Sequence, residues 1–313
     1  MADALRSNGD ESSTPRTQNV SDGREGPEPQ ADAPEDWPTG RVRGTLVFTD
    51  AEACRVRVIG LGGGRERPAG DLVTFCGLSA APIGQRIAFS TGDTDTGGQS
   101  VAVVDLRRAG VELASFEDIE PGGDVLWSPD AQRVAWCTPN GDGREFELGT
   151  ERPRTLGRCP LAYTPDGHLT FAVGHRLFVG HRTVLVEEGP IIQATWATDG
   201  SLLVVVAPGT VRRYDRAMRL TDAVDLDTSY QKVVPSPDNC AVAFFDAGRI
   251  QVENVGCLGA PARAFIGLDA AWSPDGFWVA VAAPDQIEFH RVLGGEETLV
   301  WPARAQQLEW RGD

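Results

Sequence analysis

The segment Trp272-Ser273-Pro274-Asp275-Gly276, followed by the apolar run Phe277-Trp278-Val279-Ala280-Val281, predicts two β-strands joined by a tight turn. In such a turn proline presets φ at the first corner, aspartate can bond its own backbone, and glycine accepts a left-handed conformation. Related segments precede apolar runs at four other places: Trp127-Ser128-Pro129-Asp130, Tyr163-Thr164-Pro165-Asp166-Gly167, Trp196-Ala197-Thr198-Asp199-Gly200 and Pro235-Ser236-Pro237-Asp238-Asn239. The chain is therefore predicted to consist of structural repeats.

The spacing of these repeats is typical of four-stranded propeller blades. A degenerate copy lies at Ala80-Ala81-Pro82-Ile83-Gly84, and with it the steps from one turn to the next range from 33 to 47 residues. Each interval has room for three more strands, as at 277–282, 286–291 and 297–301. Every repeat therefore predicts one blade.

The two ends of the repeat array hold incomplete units. Residues 44–49 read as a second strand without a first, and residues 306–310 read as an aromatic-ended first strand with nothing after it. Pairing the two would close a ring and remove the exposed sheet edges. We predict an all-β fold over residues 41–313, a closed β-propeller of seven four-stranded blades, with six blades as the alternative if one weak unit is an insertion.

The repeated motif resembles the WD40-like repeat of TolB-type β-propellers, in which an aromatic residue precedes Ser-Pro-Asp-Gly and an apolar strand. The resemblance covers roughly residues 44–313. In that family the repeat occurs in periplasmic translocation-associated proteins and in the propellers that gate prolyl-oligopeptidase-like enzymes. The resemblance thus implies a bacterial propeller and leaves its function open, since a fold does not carry a function with it.

Composition sets limits on the partners of the chain. Residues 1–40 are rich in Ser, Asp, Glu, Gly and Pro, which predicts a disordered acidic tail or linker. The net charge of −16 opposes binding to nucleic acid or to an anionic membrane surface and favours a neutral or basic protein partner. No apolar run is long enough to span a bilayer, and the N-terminus lacks the pattern of an export signal. We expect a monomer with no direct membrane span.

The six cysteines fall at related positions of the predicted blades. Cys54 and Cys137 lie near the hairpin between second and third strands, whereas Cys76 and Cys159 lie 22 residues further on, at the start of an inner strand. Cys240 and Cys257 lie at the two ends of one hairpin. We predict the pairs Cys54–Cys76, Cys137–Cys159 and Cys240–Cys257, although six cysteines allow about 15 pairings and all six could be reduced. Disulfides would favour an extracytoplasmic, cell-envelope location, and the missing export signal favours the cytoplasm instead.

No pattern in the sequence indicates a catalytic, metal or cofactor site. The nucleophile motif Gly-x-Ser-x-Gly is absent, the histidines His168, His175 and His181 are too few for a zinc site, and residues 93–98 lack the distal glutamate of a calcium loop. The prolines and aspartates of the repeat are interpreted as turn formers: Pro129, Asp130, Pro165, Asp166, Asp199, Pro237, Asp238, Pro274 and Asp275. We therefore predict a non-catalytic binding or scaffold module with no cofactor. The alternative is a propeller hydrolase or lyase, or a small-ligand sensor, with its site at the central channel.

Overall fold

Seven four-stranded antiparallel sheets account for almost all regular structure in the computed structural model. The structure describes residues 34, 37–38, 40–63, 65–73, 78–92, 99–108, 111–117, 119, 124–226, 230, 232–246, 248–256 and 262–312. Most of the predicted N-terminal tail and the calcium-like segment 93–98 lie outside these residues. Within them there is no α-helix, and one 3-10 turn spans Leu106–Arg108.

The strands follow one another along the chain in blade order. The first fifteen are β1 (Thr45–Asp50), β2 (Arg55–Gly60), β3 (Arg65–Val73), β4 (Leu78–Ala80), β5 (Arg86–Gly92), β6 (Gln99–Asp105), β7 (Val111–Glu117), β8 (Leu126–Trp127), β9 (Arg133–Cys137), β10 (Gly143–Glu147), β11 (Arg154–Thr155), β12 (Pro160–Tyr163), β13 (Leu169–Val173), β14 (Arg176–Val179) and β15 (Arg182–Val186). The others are β16 (Ile191–Trp196), β17 (Leu202–Val206), β18 (Thr210–Tyr214), β19 (Leu220–Asp225), β20 (Lys232–Pro235), β21 (Ala241–Asp246), β22 (Arg249–Asn254), β23 (Arg263–Ile266), β24 (Ala270–Trp272), β25 (Trp278–Ala282), β26 (Ile287–Arg291), β27 (Thr298–Trp301) and β28 (Ala305–Arg311).

The ring is closed by one blade that contains both ends of the array. In blade 1 the strand order is β28-β1-β2-β3, so the C-terminal strand is the innermost and pairs antiparallel with β1. Blades 2 to 7 each use four consecutive strands, from β4–β7 in blade 2 to β24–β27 in blade 7. The prediction of seven blades with a closure shared by the two ends is confirmed.

The repeat turns of blades 6 and 7 connect the first and second strands through the same hydrogen bonds. In blade 7 the Ser273 hydroxyl donates to Asp275 Oδ1 (2.6 Å) and accepts from the Trp278 amide (2.9 Å), while the Gly276 amide donates to the Ser273 carbonyl (2.9 Å). Ser236 and Asp238 repeat this arrangement in blade 6. Serine and aspartate thus satisfy backbone groups that a two-residue connection would leave without partners.

Six turns share a left-handed residue at the fifth motif position, with φ between +52° and +83°: Gly84, Ala131, Gly167, Gly200, Asn239 and Gly276. Glycine adopts this conformation without steric cost. Asn239 compensates with a second role, because its amide nitrogen lies 3.2 Å from the Thr195 carbonyl oxygen and 3.3 Å from that of Ser201, both in blade 5. The turn of blade 6 is thereby attached to the preceding blade.

The motif aromatic attaches its blade to the preceding one. The indole nitrogen of Trp127 donates to the Ser79 carbonyl (3.1 Å), that of Trp272 donates to the Val234 carbonyl (2.9 Å), and that of Trp196 donates to the Thr170 hydroxyl (2.9 Å). Three clusters of the hydrophobic core lie around these contacts between neighbouring blades.

Trp37 packs on the closing blade ahead of β1. Its side chain is buried, and its ring lies edge-on to Phe289 and Trp301 at centroid distances of 5.2 and 5.1 Å. Its indole nitrogen donates to the Leu61 carbonyl at 3.0 Å. The chain is therefore anchored between blades 7 and 1 before the first strand begins.

Phenylalanine substitutions at two tryptophans separate the contribution of the interblade hydrogen bond to stability from that of packing. Trp272→Phe removes the donor to Val234, whereas Trp136→Phe removes an indole N–H that has no hydrogen-bond partner among the described residues. The side chains are 5% and 1% exposed and lose the same volume. We expect Trp272→Phe to lower the free energy of unfolding by about 1 to 3 kcal/mol more than Trp136→Phe does, measured by urea unfolding. Equal losses would mean that the aromatic stabilises the ring by packing alone.

Candidate functional site: the central channel

The innermost strands of the blades surround the propeller axis. They are β28, β4, β8, β12, β16, β20 and β24, and neighbouring members contact one another around most of the ring. Each begins on one face of the disc, and all except β28 end at a repeat turn on the other face. We call the face where these strands begin the upper face and the face of the repeat turns the lower face.

A set of polar side chains connects the innermost strands of successive blades. Each lies three residues before the motif aromatic or its equivalent. The Gln193 amide nitrogen donates to the Val233 carbonyl (2.7 Å), Asp269 Oδ2 accepts from the Leu308 amide (2.9 Å), and Gln307 Oε1 accepts from the Leu78 amide (3.1 Å). We call these residues, together with Asp124 and Lys232 at the same motif position, the channel belt.

The charged members of the belt lie at the upper end of the channel. Lys232 Nζ is 2.9 Å from Asp269 Oδ1, so blades 6 and 7 are bridged by an ion pair. The Asp269 side chain is 6% exposed, whereas that of Lys232 is 49% exposed. Lys232 is the only lysine of the chain, against 28 arginines. A lysine offers a compact point charge where the planar fork of arginine would demand a second acceptor.

The electrostatics of the belt extend to Glu309, which lies on β28 two residues beyond Gln307. Burial raises the pKa of the Glu309 carboxyl to about 8, and the charges of Asp269 and Asp124 act in the same direction against the opposing effect of Lys232. Burial disfavours the ammonium of Lys232, but attraction to Asp269, then Glu309 and Asp124, outweighs it and raises its pKa. At neutral pH Glu309 therefore holds its proton in most molecules and Lys232 is charged.

The exposed groups of this arrangement can bind polar groups of a partner. At the upper mouth of the channel, the ammonium of Lys232 can donate hydrogen bonds to a partner. The exposed carboxylate of Asp124 can accept them. Among the described residues no group of three or more His, Cys, Asp or Glu side chains is arranged to hold a metal ion. The exposed Lys232 and Asp124 make the channel belt a candidate recognition site.

Reasoning from the sequence did not identify the channel belt, although the sequence contains a pattern that indicates it. When the copies are aligned on the motif aromatic, one position holds Asp124, Gln193, Lys232, Asp269 and Gln307. The tendency of these segments to form β-strands does not explain why this position is polar. A polar column in otherwise apolar inner strands indicates a position with a shared hydrogen-bonding task.

The structure brings together one of the three predicted cysteine pairs in full. Cys137 ends β9, Cys159 precedes β12, and the two form a disulfide with Cα atoms 5.0 Å apart. The bridge joins the second strand of blade 3 to the linker that enters blade 4. Cys76 and Cys257 lie outside the described residues, so the pairs with Cys54 and Cys240 stay predictions.

The three clustered histidines do not converge. Residues 174–175 form the hairpin turn of blade 4, which leaves His175 on the upper face. His168 and His181 flank the paired strands β13 and β14 on the lower face and line a common groove. Among the residues that the structure describes, no third His, Cys, Asp or Glu side chain joins these two imidazoles in a group that could hold a metal ion.

No protein-family model matches the sequence, and no curated protein matches it either. Among solved structures, the chain is similar to the β-propeller domain of Cps50 (Swd1) from Myceliophteria thermophila, with 13% identity and a TM-score of 0.54. The match covers 75% of this chain and 89% of that domain. At this identity the likeness shows the β-propeller fold alone, and the TolB-type assignment stays a prediction.

The raised pKa of Glu309 predicts a specific pH dependence of stability. The folded protein holds a proton on this carboxyl up to about pH 8, whereas the unfolded chain releases it near the ordinary value of 4.5. Its favourable contribution is complete below the unfolded pKa and is lost as the pH rises through the folded one. In urea unfolding at pH 5 and pH 8, wild type should lose stability relative to Glu309→Gln, by at most about 1.4 kcal/mol per pH unit. The exposed substitution Glu151→Gln is the control, and a pH response of Glu309→Gln equal to wild type would contradict the assignment.

The disulfide between Cys137 and Cys159 closes a loop with a sequence separation of 22 residues. In a chain-entropy description such a bridge stabilises by about 3 kcal/mol. The double substitution Cys137→Ser and Cys159→Ser should therefore lower the free energy of unfolding by that amount, and a thiol assay of the unfolded, unreduced wild type should leave these two cysteines unlabelled. Full labelling of both would show that the pair is reduced.

Proposed function

We propose that this chain is a non-catalytic β-propeller that binds a protein partner through its upper face. The WD40-like propeller fold supports a protein-interaction module, and the distribution of exposed apolar side chains supports this face in particular. Six of the ten large apolar residues that are well exposed in the described chain lie at strand ends on the upper face: Val173, Val186, Ile192, Ile266, Leu268 and Val300. Exposed apolar surface rimmed by polar groups is typical of protein contacts.

The most exposed of these residues lie beside the channel belt. Ile266 ends β23 and is 71% exposed, and Leu268 is 62% exposed in the linker that leads to Asp269. Leu268 directly precedes Asp269 of the ion pair between blades 6 and 7, and Ile266 lies two residues before Leu268 at the end of the outermost strand of blade 6. A partner covering them would bury an apolar centre and meet a charged channel mouth, a combination that gives both affinity and orientation.

The net charge of −16 favours a neutral or basic partner for this face. A cationic side chain of the partner would find the exposed carboxylate of Asp124 at the channel mouth. The disulfide of blade 3 also supports an oxidising, extracytoplasmic compartment, which we propose as the location. No helix among the described residues is long and apolar enough to cross a membrane.

The proposal is tested by measuring the binding affinity of one purified partner protein. A non-reducing pull-down from the native source identifies candidates, and the strongest is then titrated against wild type and Leu268→Asp. Charge placed at the centre of an apolar contact should weaken binding by about 2 kcal/mol or more, roughly thirtyfold.

The matched control is Leu220→Asp, which places the same charge on the lower face at a residue that is 53% exposed. It should leave the affinity unchanged. Equal losses in both variants would reject the upper face. Turnover of any substrate in a broad hydrolase and lyase screen, abolished by substitutions in the channel, would replace the proposal with the propeller-enzyme alternative.

A further inference from the structure

The side wall between blades 3 and 4 carries a groove whose charge is opposite to that of the whole protein. It has a volume of about 610 Å³ and is lined by Arg133, Arg154, Arg158, His168, Phe178 and His181, among others. Over residues 152–182 the chain has five arginines and a single carboxylate, Asp166. A local excess of positive charge in a protein of net charge −16 marks this wall as distinct from the rest of the surface.

The groove exists because blade 3 lacks a full outer strand. Strand β11 has two residues, whereas the outer strands of the other blades have four to nine. The short strand leaves part of blade 4 uncovered, so Phe171 and Phe178 face the gap as an aromatic floor. Sheet edges in folded proteins are normally covered or blunted with charge, and here arginines line the gap.

The arginines of the groove exceed the carboxylates that could neutralise them. Glu145 is buried and accepts hydrogen bonds from both Arg154 and Arg133, and it also accepts from the Tyr163 hydroxyl (2.8 Å). One carboxylate thus serves two guanidinium groups. Arg158 is exposed, lies over the Phe178 ring at 5.4 Å and has no ion pair among the described residues. At least one full positive charge is therefore available to a ligand.

The wall that carries Arg158 is held in place before any ligand binds. The Leu156 amide donates to the Gly143 carbonyl at 2.9 Å, and the disulfide fixes Cys159 directly after Arg158. A side chain at Gly143 would meet the Arg158 carbonyl oxygen at 2.0 Å, so this close approach requires glycine. A preorganised wall lowers the entropy lost on binding.

From this geometry we infer a second binding site, separate from the upper face, that takes an acidic segment of a partner protein. Carboxylates of the segment pair with Arg158 and with the outward guanidinium edge of Arg154, which offer planar forks suited to them. An apolar side chain of the same segment lies on Phe171 and Phe178. A nucleic acid carries many more negative charges than a short acidic segment, so the net charge of the chain repels it more strongly.

The experiment titrates the full, oxidised chain with a fluorescent glutamate-rich peptide that carries one phenylalanine, at low ionic strength. Anisotropy should report saturable binding that weakens as salt is added. Arg158→Glu should reduce the affinity by about tenfold or more, since a charge-assisted hydrogen bond is replaced by repulsion. A peptide with glutamine in place of glutamate should not bind.

Arg249→Glu is the matched control, because it makes the same charge change at an exposed residue of blade 6. Equal weakening by Arg158→Glu and Arg249→Glu, or no saturable binding at all, would overturn the site. Arg158 lies in the linker between blades 3 and 4, whereas Leu268 lies in the linker between blades 6 and 7, so the effect of Arg158→Glu is independent of the Leu268→Asp test. Circular dichroism of both variants verifies that the fold is retained.

Two further outcomes would replace the acidic partner with another occupant. Tighter binding of a single-stranded oligonucleotide than of the peptide, abolished by Arg158→Glu, would assign the groove to nucleic acid. The acidic N-terminal segment of the chain is the other competitor. If neutralising it in the full chain with Asp22→Asn, Glu25→Gln, Glu28→Gln and Asp32→Asn strengthens peptide binding tenfold or more, the groove belongs to that segment and not to a partner.

Discussion

The antiparallel pairing of β28 with β1 is the constraint on which the whole structure depends. Six residue pairs, from Thr45 opposite Arg311 to Asp50 opposite Ala305, join the two ends of the repeat array. Without them blade 1 would lack its innermost strand, and the ring would have two open edges. Closure fixes the radius at which the other inner strands meet, so the central channel, the two faces and the grooves between blades all follow from this contact.

Closure also decides which polar side chains can be buried near the axis. Gln193, Asp269 and Gln307 of the channel belt satisfy backbone groups of the next blade, and the Lys232–Asp269 ion pair belongs to the same series. An ion pair with one buried and one half-exposed partner contributes little net stability by itself, because desolvation of Asp269 and solvent screening offset the attraction. The ion pair also fixes the positions of blades 6 and 7 along the axis, because a displaced blade would leave Asp269 without the Leu308 amide and without the Lys232 ammonium.

The outer surface divides into regions of different chemistry for a simple geometric reason. On the upper face, exposed aliphatic residues surround a channel mouth that holds charged groups, whereas the wall between blades 3 and 4 holds arginines over an aromatic floor. Blades are similar near the axis, where neighbours pack closely, and differ at the outer strand, where packing constraints end. The two-residue β11 is the clearest case, since its shortness creates the groove without disturbing the inner strands.

The sequence by itself determined the repeat, the number of blades and the closure of the ring. The reason is that tight turns and apolar strands depend on neighbouring residues, which can be recognised in Trp272-Ser273-Pro274-Asp275-Gly276 and its copies. It also placed Cys137 and Cys159 at adjacent blade positions. Only the tertiary structure decided the channel belt, the protonation of Glu309 and the groove of Arg158, since each depends on residues from different blades. The physical reason is that hydrogen bonds, burial and charge act through space, and only the closed ring brings Lys232, Asp269 and Glu309 within reach of one another.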